Sequence, residues 1–172
     1  MHDKEKAIKE AILFQELSDQ EISELATRSE KKLIKTNDYI TKQGDFSAYI
    51  YILMKGAAKV ILHLEGYEMI LSTLKPYAVI GEITFIDKKE ISADVIAEEP
   101  CLIVQIPHKE IADLMEASPS FATKIWKGSA KLLAERIRKS NETMRAYFGI
   151  NKALCENPEF RNFFSKCYYS PR

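Results

Sequence analysis

The chain has 172 residues, 46% of them hydrophobic and 29% charged, and its 25 basic residues balance 25 acidic ones. These values predict one principal domain with a hydrophobic core. They exclude a disordered, collagen-like or disulfide-scaffold protein, and the zero net charge argues against a protein that coats nucleic acid. The apolar runs are too short to cross a bilayer, and the segment Met1–Lys9 has no signal-peptide core. The three cysteines form no CxxC pair. We therefore expect a cytoplasmic protein.

Two helices are predicted at the N-terminus, within residues 1–31. An opening helix is indicated by the 3–4 spacing of five apolar residues: Ile8, Ile12, Leu13, Phe14 and Leu17. Ser18 is followed three residues later by Glu21, which is the pattern of a capping box and predicts the start of a second helix.

Between residues 32 and 107 the pattern changes to short runs rich in β-branched residues, which turn residues separate. An apolar strand ends at Gly81, and the other predicted strands are Lys32–Lys35, Tyr39–Lys42, Ala48–Met54, Ala58–Leu64, Tyr67–Leu74, Asp94–Ala97 and Cys101–Ile106. Many short strands with frequent turns are typical of antiparallel sandwiches and barrels. We therefore predict a mainly β protein with flanking helices, whose β part is an antiparallel sandwich or barrel.

The helical period returns over residues 108–148, where Ser118-Pro119 opens a long helix. Along this helix, residues recur at alternating spacings of four and three: Trp126, Ala130, Leu133, Ile137, Ser140, Met144 and Tyr147. This pattern predicts a coiled-coil seam between two copies of the chain, and the alternative is a helix that packs on its own barrel. Gly149 is predicted to end the helix.

The C-terminal part is basic, since residues 124–172 carry 11 Lys and Arg against 4 Asp and Glu, whereas residues 1–123 carry 14 against 21. Three interpretations stay open: it attracts an anionic partner, docks on the acidic part of the same chain, or is a solvated helix face. In the tail, residues 149–172, Asn157-Pro158 predicts a short helix. One side of this helix either docks a protein partner or packs back on the barrel or the dimer. It comprises Phe160, Phe163, Phe164, Cys167 and Tyr168.

No motif in the sequence predicts catalysis. His2, His63 and His108 are isolated, and the sequence has no HExxH, GxSxG or Walker-type motif. We therefore expect no enzymatic activity, no metal and no cofactor. A barrel-type metalloenzyme is a third alternative, which metal analysis of the purified protein tests.

The most informative segment is residues 81–93. An apolar strand ends at Gly81 and Glu82, and a helical turn follows before the next strand begins near Ser92. Glycine lets the backbone approach a ligand closely, and the amides of Ile83 and Thr84 at the start of a helical turn favour an anion. The Glu82 carboxylate is an acceptor suited to a sugar hydroxyl.

Several short motifs in the chain stand in the order and spacing of the cyclic nucleotide-binding domain: Asn37–Ile40, Gln43–Asp45, Tyr51–Gly56, Val60, Gly66 and Gly81-Glu82. Residues 14–140 thus resemble the sensor domain of catabolite activator proteins. The resemblance implies that the β part is a jelly-roll barrel (a double-stranded β-helix) of about eight strands. It implies further that residues 81–93 correspond to the phosphate-binding cassette and that the ligand is cAMP or cGMP. It also implies that Glu82 holds the ribose 2′-hydroxyl, that the amides of Ile83 and Thr84 face the cyclic phosphate, and that Ser92 and Ala93 follow the phosphate-binding arginine.

The chain departs from the family at the arginine position, which Ile91 occupies. Isoleucine lacks the charge and the donor fork of a guanidinium group. Lys88 and Lys89 either replace that charge or face water. Tyr77 and Asn37 also stand where the family usually has glycine, and Tyr77 predicts a remodelled turn.

We expect a stand-alone regulatory or adaptor module that is not an enzyme. Its pocket has either lost or changed its ligand, or it still binds a cyclic nucleotide weakly through Glu82, backbone amides and Ser92. The alternative is an adaptor that acts through the basic aromatic tail. About 25 residues follow Tyr147, too few for a winged helix, so DNA binding is not expected unless the chain is truncated.

Overall fold

The computed structural model describes residues 3–162, so four members of the predicted aromatic tail lie outside the described residues: Phe163, Phe164, Cys167 and Tyr168. The chain divides into two compact units, Met1–Leu132 and Leu133–Arg172. Within residues 3–162, no helix has the length and apolar character needed to cross a membrane.

The N-terminal helices of the first unit differ in one respect from the prediction. Helix α1, Asp3–Glu10, ends before Ala11, and a 3₁₀ turn, Ile12–Phe14, follows it, so the predicted single opening helix is broken. The break lets Leu13 and Phe14 enter the core. Helix α2, Asp19–Thr27, begins at the predicted capping box, where the Ser18 hydroxyl accepts from the Glu21 amide and the Ser18 amide donates to the Glu21 carboxylate.

In the part of the chain that the structure describes, eight strands form two antiparallel four-stranded sheets, which confirms the predicted architecture. The strands are β1 Glu30–Ile34, β2 Tyr39–Thr41, β3 Tyr49–Lys55, β4 Ala58–Leu64, β5 Tyr67–Leu74, β6 Val79–Ile80, β7 Asp94–Ala97 and β8 Cys101–Pro107. The sheet orders are β1-β8-β3-β6 and β2-β7-β4-β5. Helix α3, Glu82–Asp87, connects β6 to β7 and is the predicted helical turn.

Residues on opposite faces of the first sheet belong to two separate cores. On β8, Ile103 faces the space between the sheets, whereas Val104 and Ile106 pack under the helices. The interior cluster between the sheets takes residues from both of them, including Ile40, Leu53, Ile80 and Val95. The alternation along the strands thus holds the two sheets together and also anchors the helices.

Helix α4, His108–Ala117, and helix α5, Pro119–Glu156, follow the strands. The prediction that Gly149 ends the long helix is wrong, since α5 continues to Glu156. A glycine inside a helix costs about 1 kcal/mol, which the helix-forming residues around it offset when no proline or left-handed residue follows. The next break comes at Asn157, whose side chain accepts from the amides of Glu159 and Phe160 and caps a new helical segment.

The first turns of α5 pack closely on the N-terminal segment of the same unit. A Cβ atom on Gly128 would lie 2.0 Å from the Leu13 carbonyl oxygen, so only glycine fits there. Lys127 and Lys131 pair with Glu16, and Lys124 pairs with Glu21. For these three lysines, the basic part of the chain therefore docks on the acidic part.

Tyr77 adopts a left-handed backbone with φ 73°, as does Asn37 with φ 68°. The prediction of a remodelled turn at Tyr77 is wrong, because the residue keeps the conformation that glycine favours. The amide of Tyr77 donates to the Leu53 carbonyl over 2.6 Å, and the side chain packs against the core beneath the helices. These contacts offset a backbone cost of about 1–2 kcal/mol for a residue with a Cβ atom.

Candidate functional site

The candidate site, residues 81–93, is called the cassette below. Strand β6 pairs with β3, and this pairing places Gly81 next to the backbone of Tyr49. Gly81 has φ 87°, and a Cβ atom there would lie 2.6 Å from the Tyr49 carbonyl oxygen. Both the backbone angle and the close approach therefore require glycine at this position.

The predicted binding residues lie on different sides of helix α3. Glu82 is 1% exposed and Thr84 is also buried, whereas Ile83 is exposed. The Phe85 side chain is buried in the core beneath the helices. The structure thus brings Glu82 and Thr84 inward together and leaves Ile83 at the surface.

The C-terminal end of the cassette is held by the turn between β2 and β3. The Gly44 amide donates to the Ile91 carbonyl, and the Ile91 amide donates to the Asp45 carbonyl, each over 2.9 Å. Ile91 and Ala93 are half-buried and Ser92 is exposed. The backbone at the arginine position is therefore anchored on both sides, and its side chain is aliphatic.

Asp94, directly after the cassette, is a buried carboxylate at 2% exposure. It accepts a hydrogen bond from the Gln43 amide over 2.6 Å and lies 2.5 Å from His63 Nε2. The other ring nitrogen of His63 lies 3.4 Å from a Glu68 carboxylate oxygen. This cluster ties β4 and the turn at Gln43 to the first residue of β7.

The lysines proposed as substitutes for the arginine differ in their surroundings. Lys88 has a left-handed backbone, φ 58°, and its ammonium group lies 4.6 Å from the centre of the Phe85 ring. A cation over an aromatic face is attracted to that ring. Lys89 is exposed, and its amide donates to the Asp87 carboxylate.

An aromatic cluster joins the cassette to α4 and to the first turns of α5. The Phe85 ring lies 5.2 Å from the His108 ring in an edge-on arrangement and 6.3 Å from Trp126 in a stacked one. His108 Nε2 has no hydrogen-bond partner among the residues that the structure describes. Helix α3 is therefore packed against the two C-terminal helices through one phenylalanine.

The His108 ring predicts a pH-dependent stability. Burial lowers the pKa of His108 to about 4 and the Lys88 ammonium acts in the same direction, while the carbonyls of Tyr49 and Gly81 act against them. The unfolded chain therefore binds a proton near pH 6.5 that the folded chain takes up only near pH 4, so stability falls as the pH drops through this window. We expect a loss of about 1–2 kcal/mol in the free energy of unfolding, after allowance for partial exposure of the ring.

Urea unfolding of the wild type and of His108→Gln at pH 7, 5.5 and 4.5 measures this loss. The free energy of unfolding of the variant should fall much less than that of the wild type as the pH drops. Glu16 provides an internal reference, because Lys131 and Lys127 lower its pKa to about 2, so its ion pairs weaken only below pH 4.5. An equal decline in both proteins above pH 4.5 would contradict the role of His108.

Three features of the site were not predicted from the sequence. The isolated His108 lies against the cassette, the isolated His63 pairs with Asp94, and the turn at Gly44 closes on Ile91. The motif Gln43–Asp45 indicated a turn at Gly44, but not that this turn contacts Ile91. The two histidines have no local signal, because their partners are distant in the chain.

The chain is similar to known proteins over most of its described length. The family model for the cyclic nucleotide-binding domain matches residues 31–118. The chain is 27% identical over 130 residues to the cyclic AMP receptor protein of Thermus thermophilus, covering 75% of this chain and 58% of that protein. It is 32% identical over 102 residues to the cAMP-activated global transcriptional regulator CRP of Escherichia coli O6:H1, covering 58% of this chain and 47% of that protein.

Solved structures share the fold. A cyclic nucleotide-binding domain from Methylobacillus flagellatus superimposes with a TM-score of 0.75 at 20% identity, covering 84% of this chain and 82% of that chain. The chain spans about half the length of the curated relatives it matches. Since the family model covers more than half of the sequence, the chain belongs to the cyclic nucleotide-binding domain family.

Proposed function

We propose that the chain is a non-catalytic regulatory module whose cassette holds cyclic nucleotides only weakly. The observation that carries this proposal is Ile91 at the arginine position, with its backbone anchored by Gly44 and Asp45. A cyclic nucleotide keeps one negative charge on its phosphate, and an aliphatic side chain offers that charge neither a counter-charge nor a donor.

Two further observations support weak phosphate binding. The Lys88 ammonium is engaged with the Phe85 ring. Glu82, almost fully buried in the cassette, adds a carboxylate on the same loop. A carboxylate suits a sugar hydroxyl and repels a phosphate that no cation neutralises. The site therefore favours the neutral parts of a nucleotide over its phosphate.

Calorimetric titration of the wild-type protein with cAMP and with cGMP tests the proposal. We expect dissociation constants on the order of 100 μM or weaker for both nucleotides. Glu82→Gln, which keeps the shape of the side chain, serves as the site control. Micromolar or tighter binding that Glu82→Gln abolishes would overturn the proposal and favour a functional cyclic nucleotide receptor.

We further propose that the predicted seam on α5 joins two copies of the chain. In the first unit, Trp126 is 49% exposed, whereas Ile125 and Leu132 on the same helix are buried. In the second unit, Ile137 and Met144 are exposed. The helix thus carries a buried stripe and a separate exposed apolar stripe, and the latter has the spacing of a coiled coil.

Sedimentation velocity at protein concentrations of about 10–100 μM tests whether the chain forms this dimer. The wild type should sediment as a dimer, and the double variant Ile137→Glu/Met144→Glu should sediment as a monomer. Lys139→Glu, on the same helix but outside the seam, should leave the dimer intact. A monomeric wild type at the highest concentration would refute the seam as a dimer interface.

A further inference from the structure

Asp94, directly after the cassette, is a buried carboxylate that the proposed function does not use. The residue is 2% exposed, and both of its carboxylate oxygens have partners. Oδ1 accepts from the Gln43 amide over 2.6 Å, and Oδ2 lies 2.5 Å from His63 Nε2. Removing charged groups from water is costly, and apolar side chains of similar size often stabilise a fold equally well. The pair of Asp94 and His63 therefore calls for an explanation other than stability.

The contacts of Asp94 lead through one turn to the end of the cassette. The His63 amide on β4 donates to the Gln43 side-chain oxygen over 3.1 Å, so Gln43 is held through both its main chain and its side chain. The next residue is Gly44, whose amide donates to the Ile91 carbonyl over 2.9 Å. Two hydrogen bonds, on either side of this turn, thus connect the Asp94 carboxylate to the backbone of Ile91.

The strand register places this pair of side chains outside the space between the two sheets. Val95 belongs to the interior cluster, and neighbouring residues of a strand point to opposite faces, so Asp94 points away from the interior. Asp94 stands opposite Ile61 on β4, and His63, two residues further along, lies on the same side of that strand. A ligand between the sheets would therefore not touch either side chain.

We propose that Asp94 and His63 are positioning residues, which hold the backbone of Ile91 in place through the turn at Gln43 and Gly44. The inference rests on the proposed function, in that residues 81–93 take the ligand, and it deepens that function. A side chain makes a precise contact only when neighbouring groups fix the backbone from which it starts. The chain thus keeps the support for a phosphate contact, although the isoleucine lacks the contact itself.

Hydrogen exchange measured by NMR on the ligand-free protein tests this role. The double variant His63→Leu/Asp94→Leu replaces the pair with apolar side chains, a type of change that folded proteins often tolerate. The amides of Gly44 and Ile91 should lose protection by about 10- to 150-fold, the range expected for a lost hydrogen bond to a charged group. Asp94→Asn should keep most of the protection, because an amide side chain accepts from Gln43 and donates to His63.

Ser29→Ala is the matched control. It removes a different hydrogen bond of a buried side chain, from the Ser29 hydroxyl to the Ala26 carbonyl over 3.0 Å, outside the cassette and its turn. It should not lower protection at Gly44 and Ile91 more than at other amides. Unchanged exchange at these two amides in the double variant, or a loss no larger than at all other amides, would overturn the proposal.

Nucleotide affinity provides a second readout, which a purely structural role would not change selectively. In the background of Ile91→Arg, adding His63→Leu/Asp94→Leu should weaken cAMP binding by at least about 10-fold in calorimetric titration, because the arginine then starts from a displaced backbone. Adding Asp94→Asn or Ser29→Ala should leave the affinity close to that of Ile91→Arg alone. An undiminished affinity with both leucines present would contradict the positioning role.

The outcomes separate this proposal from the proposed function. If the wild type binds cAMP at micromolar concentration, or if Ile91→Arg binds it no better than the wild type, the proposed function fails. In both cases the exchange at Gly44 and Ile91 still decides the role of Asp94. If the exchange is unchanged in the double variant while Ile91→Arg gains affinity, the role of Asp94 is refuted and the proposed function stands.

Discussion

Replacing Ile91 with arginine is expected to strengthen the binding of cAMP and cGMP by about 10- to 150-fold. A hydrogen bond to a charged group contributes about 1.5–3 kcal/mol net, which converts to this range of affinity. The position is suitable because hydrogen bonds from Gly44 and to Asp45 hold the Ile91 backbone, so a new side chain starts from an anchored point. Calorimetric titration of the variant and the wild type under the same conditions measures the gain.

Ile91→Gln is the matched control for charge. Glutamine has polar reach from the same backbone position but carries no positive charge, so it should recover only a small part of the gain. The gain of the arginine variant should also fall with added salt. Equal affinities for the arginine and glutamine variants would show that the missing counter-charge is not what limits binding.

Gly128→Ala is expected to destabilise the first unit by about 3 kcal/mol. A Cβ atom there would lie 2.0 Å from the Leu13 carbonyl oxygen and 2.7 Å from its carbonyl carbon. Since backbone atoms are in the way, the helix must move away from the 3₁₀ turn. That movement would also strain the ion pairs of Lys127 and Lys131 with Glu16. The change should exceed the gain of up to about 1 kcal/mol that alanine normally brings to a helix interior.

Gly149→Ala, in the same helix, is expected to increase the stability rather than decrease it. No atom lies within 4 Å of a Cβ atom built there, so only the helix propensity remains, and the variant should gain about 0.5–1 kcal/mol. Chemical unfolding of both variants, followed by circular dichroism, compares them. A Gly128→Ala protein as stable as the wild type would show that the contact with Leu13 is not required for the fold.

The strand pattern was predictable because alternation and turn residues act within a few residues of each other. All predicted strands are present, and their ends differ by at most two residues from the prediction. Gly149 and Tyr77 show where local preference fails. A glycine does not end a helix when the flanking residues continue it, and a tyrosine accepts a left-handed backbone when a hydrogen bond and core packing offset the cost.

The cassette was predictable in part. Gly81, Glu82 and the aliphatic Ile91 follow from the order of residues alone. The contacts of His108 with Phe85, of Asp94 with His63 and of Ile91 with the turn at Gly44 join residues between 23 and 47 positions apart. Such contacts depend on sheet order and register, which no local pattern encodes.

The amino-acid order by itself determined the β-roll architecture, the family, the place of the cassette and the absence of arginine at position 91. Each of these depends on neighbouring residue types or on motif spacing along the chain. Only the tertiary structure decided that Gly128 meets the Leu13 carbonyl and that His108 lies half-buried beside α3. These features arise when distant segments pack, because burial and clashes depend on what the rest of the chain places around each residue.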